Sequence, residues 1–389
     1  MTAALAYLVC AALFVGVVAY AIFAGADFGS GFYDLTAGDA RRGAELRTLV
    51  DHSIGPVWEA NHVWLIYVLV IWWTGFPGAF AAAMTTLIVP ILLALLGIVL
   101  RGASFAFRKF AATLHQARLF GVVFASSSFI TPFFLGASAG GIASGRVPAA
   151  GYGDVWTSWL NPTSVFGGLI AVGTCAFLAG AFLTADAERS GHHELSEELR
   201  VRALAVGVGT GVIVFGALVP LFRDADTLSH GLIGPASPLI VLSALAGGGT
   251  LLFLWRRQYA AARIGAVAAV VCVLAGWGVA QFPWLLVDQL KIVDAAGATA
   301  TLWALLVVVA LAGVLVLPAL VYLFRLTQSE SWSHDPHAEP VVPGPRVLPA
   351  PARPVVAQRP SGPDAVPLSV VVAAAVVLAG VARWLKRRS

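Results

Sequence analysis

The stretch AALAYLVCAALFVGVVAYAIFAGA, residues 3–26, carries no charged side chain and ends at Asp27. A helix needs about 20 mostly apolar residues to cross the hydrocarbon core of a bilayer, and only a helix or a closed barrel satisfies its own backbone there. The stretch therefore reads as a spanning helix. No basic residue precedes it, and Asp27 stands where a cleavage site would need a small neutral residue, so it reads as a retained helix and not as a signal peptide.

Similar runs follow at 56–75, 79–100, 118–141, 163–185, 203–223, 236–255, 262–282 and 301–326, with a shorter one at 367–385. The expected fold is an all-α integral membrane protein, about nine transmembrane helices in helical bundles plus an extra C-terminal helix. Three segments are expected: a polytopic membrane domain over 1–328, a Pro-rich linker over 329–366, and a hydrophobic helix with a basic end over 367–389. Residues 336–367 hold ten of the 21 prolines, which excludes helix interior and reads as an extended tether, either a spacer or a ligand for a proline-binding partner.

Composition agrees. Hydrophobic residues make up 59% and charged residues only 11%, against about 25% charged in soluble domains; mean hydropathy is +0.86. A water-soluble enzyme and a disordered chain are both excluded. The net charge of +4 comes from basic residues scattered through short connections, which speaks for membrane orientation and against nucleic acid. Cys10, Cys175 and Cys272 all lie in apolar runs and behave as small hydrophobes.

The first, third, fifth and seventh connections hold thirteen Lys and Arg, and the even ones three. The positive-inside rule then puts the odd loops in the cytoplasm and the N-terminus outside. The tail breaks the pattern, because a tenth crossing would export Arg383, Lys386, Arg387 and Arg388.

An ionisable residue at membrane depth costs about 2.5–3.5 kcal/mol on insertion scales and so marks a partner, a wet path or a ligand. Four stand out: Asp27 at the inner end of the first helix, Glu59 and His62 near the inner start of the second, and Arg101 at the inner end of the third. Glu59 and His62 are three apart and share a helix face. An imidazole titrates near neutrality, so the two can exchange protons, or they can simply satisfy one another at an interface where Trp58 and Trp64 act as anchors. Pro56 reads as a first-turn proline. A di-iron site would need a second Glu-x-x-His and further glutamates, which the apolar runs lack. Haem ligation has little to draw on: His62 is the one histidine well inside a run, and Met84 the one methionine beyond Met1. Ser126, Ser127, Ser128 and Thr131 precede Pro132, where hydroxyls can bond back to the backbone around a proline kink or line a proton wire. Asn161-Pro162 reads as a turn that starts a helix, and His192-His193-Glu194 as solvated loop or helix start.

Residues 55–66, Gly-Pro-x-Trp-Glu-x-Asn-x-Val-Trp-Leu-Ile, resemble the signature of subunit II of cytochrome bd-type quinol oxidases. Gly25-Ala26-Asp27-Phe28-Gly29-Ser30-Gly31 is similar to that family's first-helix segment. Arg101-Gly102-Ala103-Ser104-Phe105-Ala106-Phe107-Arg108 is similar to its Arg-x-x-x-Phe-x-x-Arg, and Leu160-Asn161-Pro162 to its fifth-helix start. The resemblance covers residues 1 to about 328 and is most specific in the first 110.

It implies a chain without haem of its own, partnered by a haem-bearing subunit I that oxidises quinol on the outer side and reduces O2 to water with cytoplasmic protons. On that reading Glu59, His62, Asp27 and Asn61 form a proton pathway, while Trp58, Trp64, Arg101, Phe105 and Arg108 serve the subunit interface or the structure. No metal and no catalytic residue is expected in this chain, and a structural quinone or lipid and small extra subunits stay open. Two departures stand out. Ala24 replaces the first acid of the family's Asp-Gly-Phe-Asp, and Glu59 stands where an Asp is expected. The competing reading is a stand-alone secondary transporter coupled through Asp27, Glu59 and His62, although no pair of broken helices in matching halves supports it.

Overall fold

The computed structural model describes residues 2–38, 43–108 and 114–328, without side-chain placement at 54–60, 108 and several positions near 117 and beyond 316. The expected linker and C-terminal helix lie outside the described residues. The chain forms α1 (Thr2–Thr36), α2 (Ala44–Gly75), α3 (Pro77–Thr86), α4 (Ile88–Arg108), α5 (Leu114–Ala143), α6 (Pro162–Arg189) and α7 (His193–Asp224). Then come α8 (Asp226–Ile233), α9 (Ser237–Trp255), α10 (Tyr259–Gln281), β1 (Trp284–Leu286), β2 (Leu290–Lys291), α11 (Ile292–Ala295) and α12 (Thr299–Gln328). The all-helical expectation holds apart from the short antiparallel pair β1–β2, in which Trp284 faces Lys291.

Among the described residues, eight helices are long and apolar enough to cross a membrane, or nine if α2 and α3 count as one bent span. The third expected run, 79–100, is corrected here. The chain breaks at Phe76 and turns by 116°, so residues 77–86 form a separate short helix and the long helix starts only at Ile88. Phe76 is fully buried, and Gly297 N–H donates to the carbonyl of Gly75 at 2.8 Å, which holds the corner. Pro77 sits in the first turn of α3, where its missing N–H costs nothing.

Two helix ends also differ from expectation. The first helix does not stop at Asp27 but runs on to Thr36, and the second starts at Ala44, so position 56 is interior and not in the first turn. Apolarity marks where hydrocarbon ends, whereas helices continue past it when their polar residues find partners. Residues Asp27, Ser30, Tyr33 and Asp34 of the extension are all buried.

The long helix α1 packs on α2, α5 and α6. Gly25 and Gly29 let α1 and α6 approach closely, since a Cβ at Gly29 would run into the carbonyl of Cys175. One apolar cluster, including Leu5, Val9, Phe76, Leu87 and Leu302, fills the start of α1; another, including Tyr33, Val50, Leu183 and Leu199, fills its end. The start of α6 follows the expected turn: Asn161 is the N-cap, its side chain accepting from Ser164 N–H at 3.0 Å, with Pro162 next.

Candidate functional site

Between the two apolar clusters, the end of α1 meets α2, α4 and α5 around a buried ion pair. Arg101 on α4 donates from Nη2 to Oδ1 of Asp27 on α1 at 2.6 Å, with the two side chains only 2% and 1% exposed. Asn61 on α2 donates from Nδ2 to the other carboxylate oxygen at 3.2 Å. Arg101 also donates from Nη1 to Ser128 Oγ on α5 and from Nη2 to the carbonyl of Asp27. Its guanidinium lies over the ring of Phe124 at 4.2 Å and that of Phe28 at 5.0 Å.

The local sequence explains the assembly. Gly31 leaves space on α1 that a larger residue would take from Ser128, the residue that receives Arg101. Ser30 turns its hydroxyl back to the carbonyl of Asp27 at 2.6 Å, and Ser128 bonds back to Phe124 at 2.6 Å while accepting from Arg101. A buried ion pair holds only when the remaining donors and acceptors are met, and charge-assisted bonds of this kind are about twice as strong as neutral ones.

Beside the pair lies a small cavity of about 10 Å³, lined by Tyr20, Asp27, Phe28, Asn61, His62 and Arg101 with two aliphatic side chains. That is about the space one water needs. Three polar atoms of its lining, Tyr20 Oη, Asn61 Oδ1 and Arg101 Nε, are buried and have no hydrogen-bond partner among the described residues. A water there would give these three atoms a partner.

Of the residues singled out in the sequence, Asp27, Asn61, His62 and Arg101 converge on this cavity. Glu59 and Trp58 lie on α2 about one turn before His62, with their side chains outside the described residues; so does the side chain of Arg108 at the end of α4. Phe105 is half-buried one turn beyond Arg101. Trp64 packs edge-on against Tyr67 at 5.6 Å, and Tyr67 donates to the carbonyl of Ala12 on α1 at 3.0 Å, so this indole sits in the α1–α2 contact.

Sequence reasoning missed Tyr20, Ser30 and Phe124, and it treated the serines around Ser128 only as kink packing or proton wire. Opposite charges at membrane depth on two apolar helices were the available signal for pairing Asp27 with Arg101.

His62 lies mid-way along α2 and Met84 near the end of α3, beyond the 116° turn. The cavity beside His62 is far too small for a macrocycle. Among the described residues no group of three or more His, Cys, Asp or Glu could hold a metal ion.

The sequence profile of the cytochrome bd terminal oxidase subunit II family matches residues 5–327. The chain belongs to this family. It is 32% identical over 130 residues to cytochrome bd ubiquinol oxidase subunit 2 of Bacillus subtilis, covering 33% of this chain and 37% of that relative. It is 28% identical over 170 residues to cytochrome bd-I ubiquinol oxidase subunit 2 of Escherichia coli K12, covering 41% of this chain and 44% of the relative. The aligned stretches thus span about two fifths of these relatives' own length. A chain of the bd oxidase from Geobacillus thermodenitrificans superposes with a TM-score of 0.71 at 23% identity, covering 84% of this chain and 99% of that one, so the fold is shared. Membership of subunit II makes the chain a multi-pass membrane protein and assigns the candidate spans to a bilayer.

Proposed function

We propose that this chain is the haem-free partner of a haem-bearing subunit I in a quinol:dioxygen oxidoreductase, and that it leads cytoplasmic protons toward the partner while scaffolding it. Quinol oxidation and O2 reduction take place on the partner, which carries the haems. The observation that carries the proton reading is the water-sized cavity where Asp27, Asn61, His62, Tyr20 and Arg101 meet. The charge count puts the N-terminus outside, and this end of α1, α2, α4 and α5 then lies toward the cytoplasm.

Each residue has a physical task. Glu59 and His62, one turn apart, can exchange a proton, and a water in the cavity continues the relay, since an acid or base acts directly or through one water. Arg101 fixes the Asp27 carboxylate, and Asn61 orients its second oxygen. Replacing Glu59 by Gln should slow O2 reduction while the haem spectrum of the purified complex stays intact; unchanged turnover would remove Glu59 from the path. Gentle purification tests the assembly itself: haem bands with a second membrane subunit are expected, and a colourless homo-oligomer would overturn it in favour of a transporter.

A further inference from the structure

Away from the Asp27 cluster, four arginines gather where the end of α6 and the start of α7 meet the turn from α9 into α10. Asp186 Oδ1 accepts from Arg189 and, at 3.2 Å, from Arg263 Nη1, so the two guanidiniums lie within two hydrogen-bond lengths of each other. Glu197 is likewise shared: Arg257 donates to it at 2.7 Å, Arg200 at 2.8 Å and Tyr259 Oη at 2.9 Å. The third carboxylate, Glu188, faces His193 Nδ1 at 3.2 Å. Four guanidiniums, those of Arg189, Arg200, Arg257 and Arg263, thus share the two carboxylates Asp186 and Glu197.

These groups border an open cavity of about 800 Å³ whose walls include Arg189, Arg257, Arg263, Glu188 and the first turn of α10. Its other wall is apolar: Ala260, Ala261 and Ile264, the last 72% exposed on a helix that crosses the membrane. Trp255, 68% exposed at the end of α9, marks the level of the interface, where indoles concentrate. A charged rim above an apolar wall at that depth matches one kind of molecule. The guanidinium fork suits phosphate oxygens, and basic pockets between spanning helices on the cytoplasmic side take anionic headgroups.

The geometry points to a binding site for an anionic phospholipid between the ends of α6 and α10, its phosphate on Arg189 and Arg263 with Arg257 at the rim and its acyl chains along Ile264. Arg263 is steadied for this from behind, its guanidinium 4.2 Å over the ring of Phe182. The first turn of α10 adds the positive end of a helix dipole.

The full-length protein, with whatever co-purifies, is titrated in detergent with phosphatidylglycerol or phosphatidylcholine and read by native mass spectrometry, with inorganic phosphate as a third arm. The wild type should retain phosphatidylglycerol about tenfold more strongly than phosphatidylcholine, the scale of one charge-assisted contact. R189Q/R263Q should lose that preference and R223Q should keep it. Equal retention of the two lipids by the wild type overturns the site, and this arm needs no variant to fold. A preference unchanged in R189Q/R263Q overturns it as well. Occupancy by inorganic phosphate without any preference for phosphatidylglycerol overturns the lipid assignment.

Discussion

Asp27 and Arg101 are 74 positions apart in the chain and 2.6 Å apart in space, and their ion pair is where α1, α2, α4 and α5 are tied together. Removing one member of a buried pair leaves an uncompensated charge and costs about 3–5 kcal/mol, whereas removing both costs much less. Arg101→Gln and Asp27→Asn should each lower the melting temperature of the purified protein sharply, and D27N/R101Q should recover part of the loss. A double-mutant cycle measures this coupling. Strictly additive losses would show that the two side chains do not depend on each other.

Tyr20 enters the site through its hydroxyl alone, a buried Oη beside the cavity without a partner among the described residues. Tyr20→Phe keeps the ring and removes that oxygen. If the hydroxyl holds a relay water, quinol-driven O2 consumption should fall about fivefold, the kinetic equivalent of one hydrogen bond near 1 kcal/mol, with the melting temperature nearly unchanged. Full turnover in this variant would take Tyr20 out of the path.

Much of this architecture is legible in the sequence because the bilayer imposes a simple rule: a run of about 20 apolar residues must be a helix. Asn161-Pro162 was equally readable, since a cap is a local event. The bend at Phe76 was not, because residues 77–86 are as apolar as a spanning helix, and only the packing of Phe76 and the hydrogen bond from Gly297 decide the turn. The site was half legible. Charge scarcity pointed to Asp27, His62 and Arg101, but which charge meets which depends on helix packing, and Tyr20 looks like any aromatic in an apolar run.

The cap at Asn161 gives a purely structural expectation. Its side chain accepts from Ser164 N–H at 3.0 Å and donates to the carbonyls of Thr157 and Ser158 at 3.2 Å, joining the preceding loop to α6. Asn161→Ala should cost about 0.5–2 kcal/mol, and Asn161→Asp, which keeps the acceptor but loses the donor, should cost less. Thermal unfolding of the two variants side by side checks the order.

Glycines on α1 and α7 offer a contrast within one experiment. A Cβ at Gly29 would meet the backbone of Cys175, and one at Gly31 would meet Ser128, the residue that receives Arg101. Backbone cannot give way as a flexible side chain can, so overpacking of this kind costs about 1–3 kcal/mol. At Gly209 on α7 nothing described lies within 4 Å, and a methyl group there should shift stability by no more than about 0.5 kcal/mol. Gly29→Ala and Gly31→Ala should therefore lower the melting temperature while Gly209→Ala leaves it in place. The two damaging variants should also differ from each other. Gly31→Ala disturbs the Arg101 cradle and should slow O2 consumption in whatever protein remains folded, whereas Gly29→Ala touches only the α1–α6 contact and should leave the turnover of folded protein unchanged. Equal turnover in both would separate Ser128 and Arg101 from the proton path.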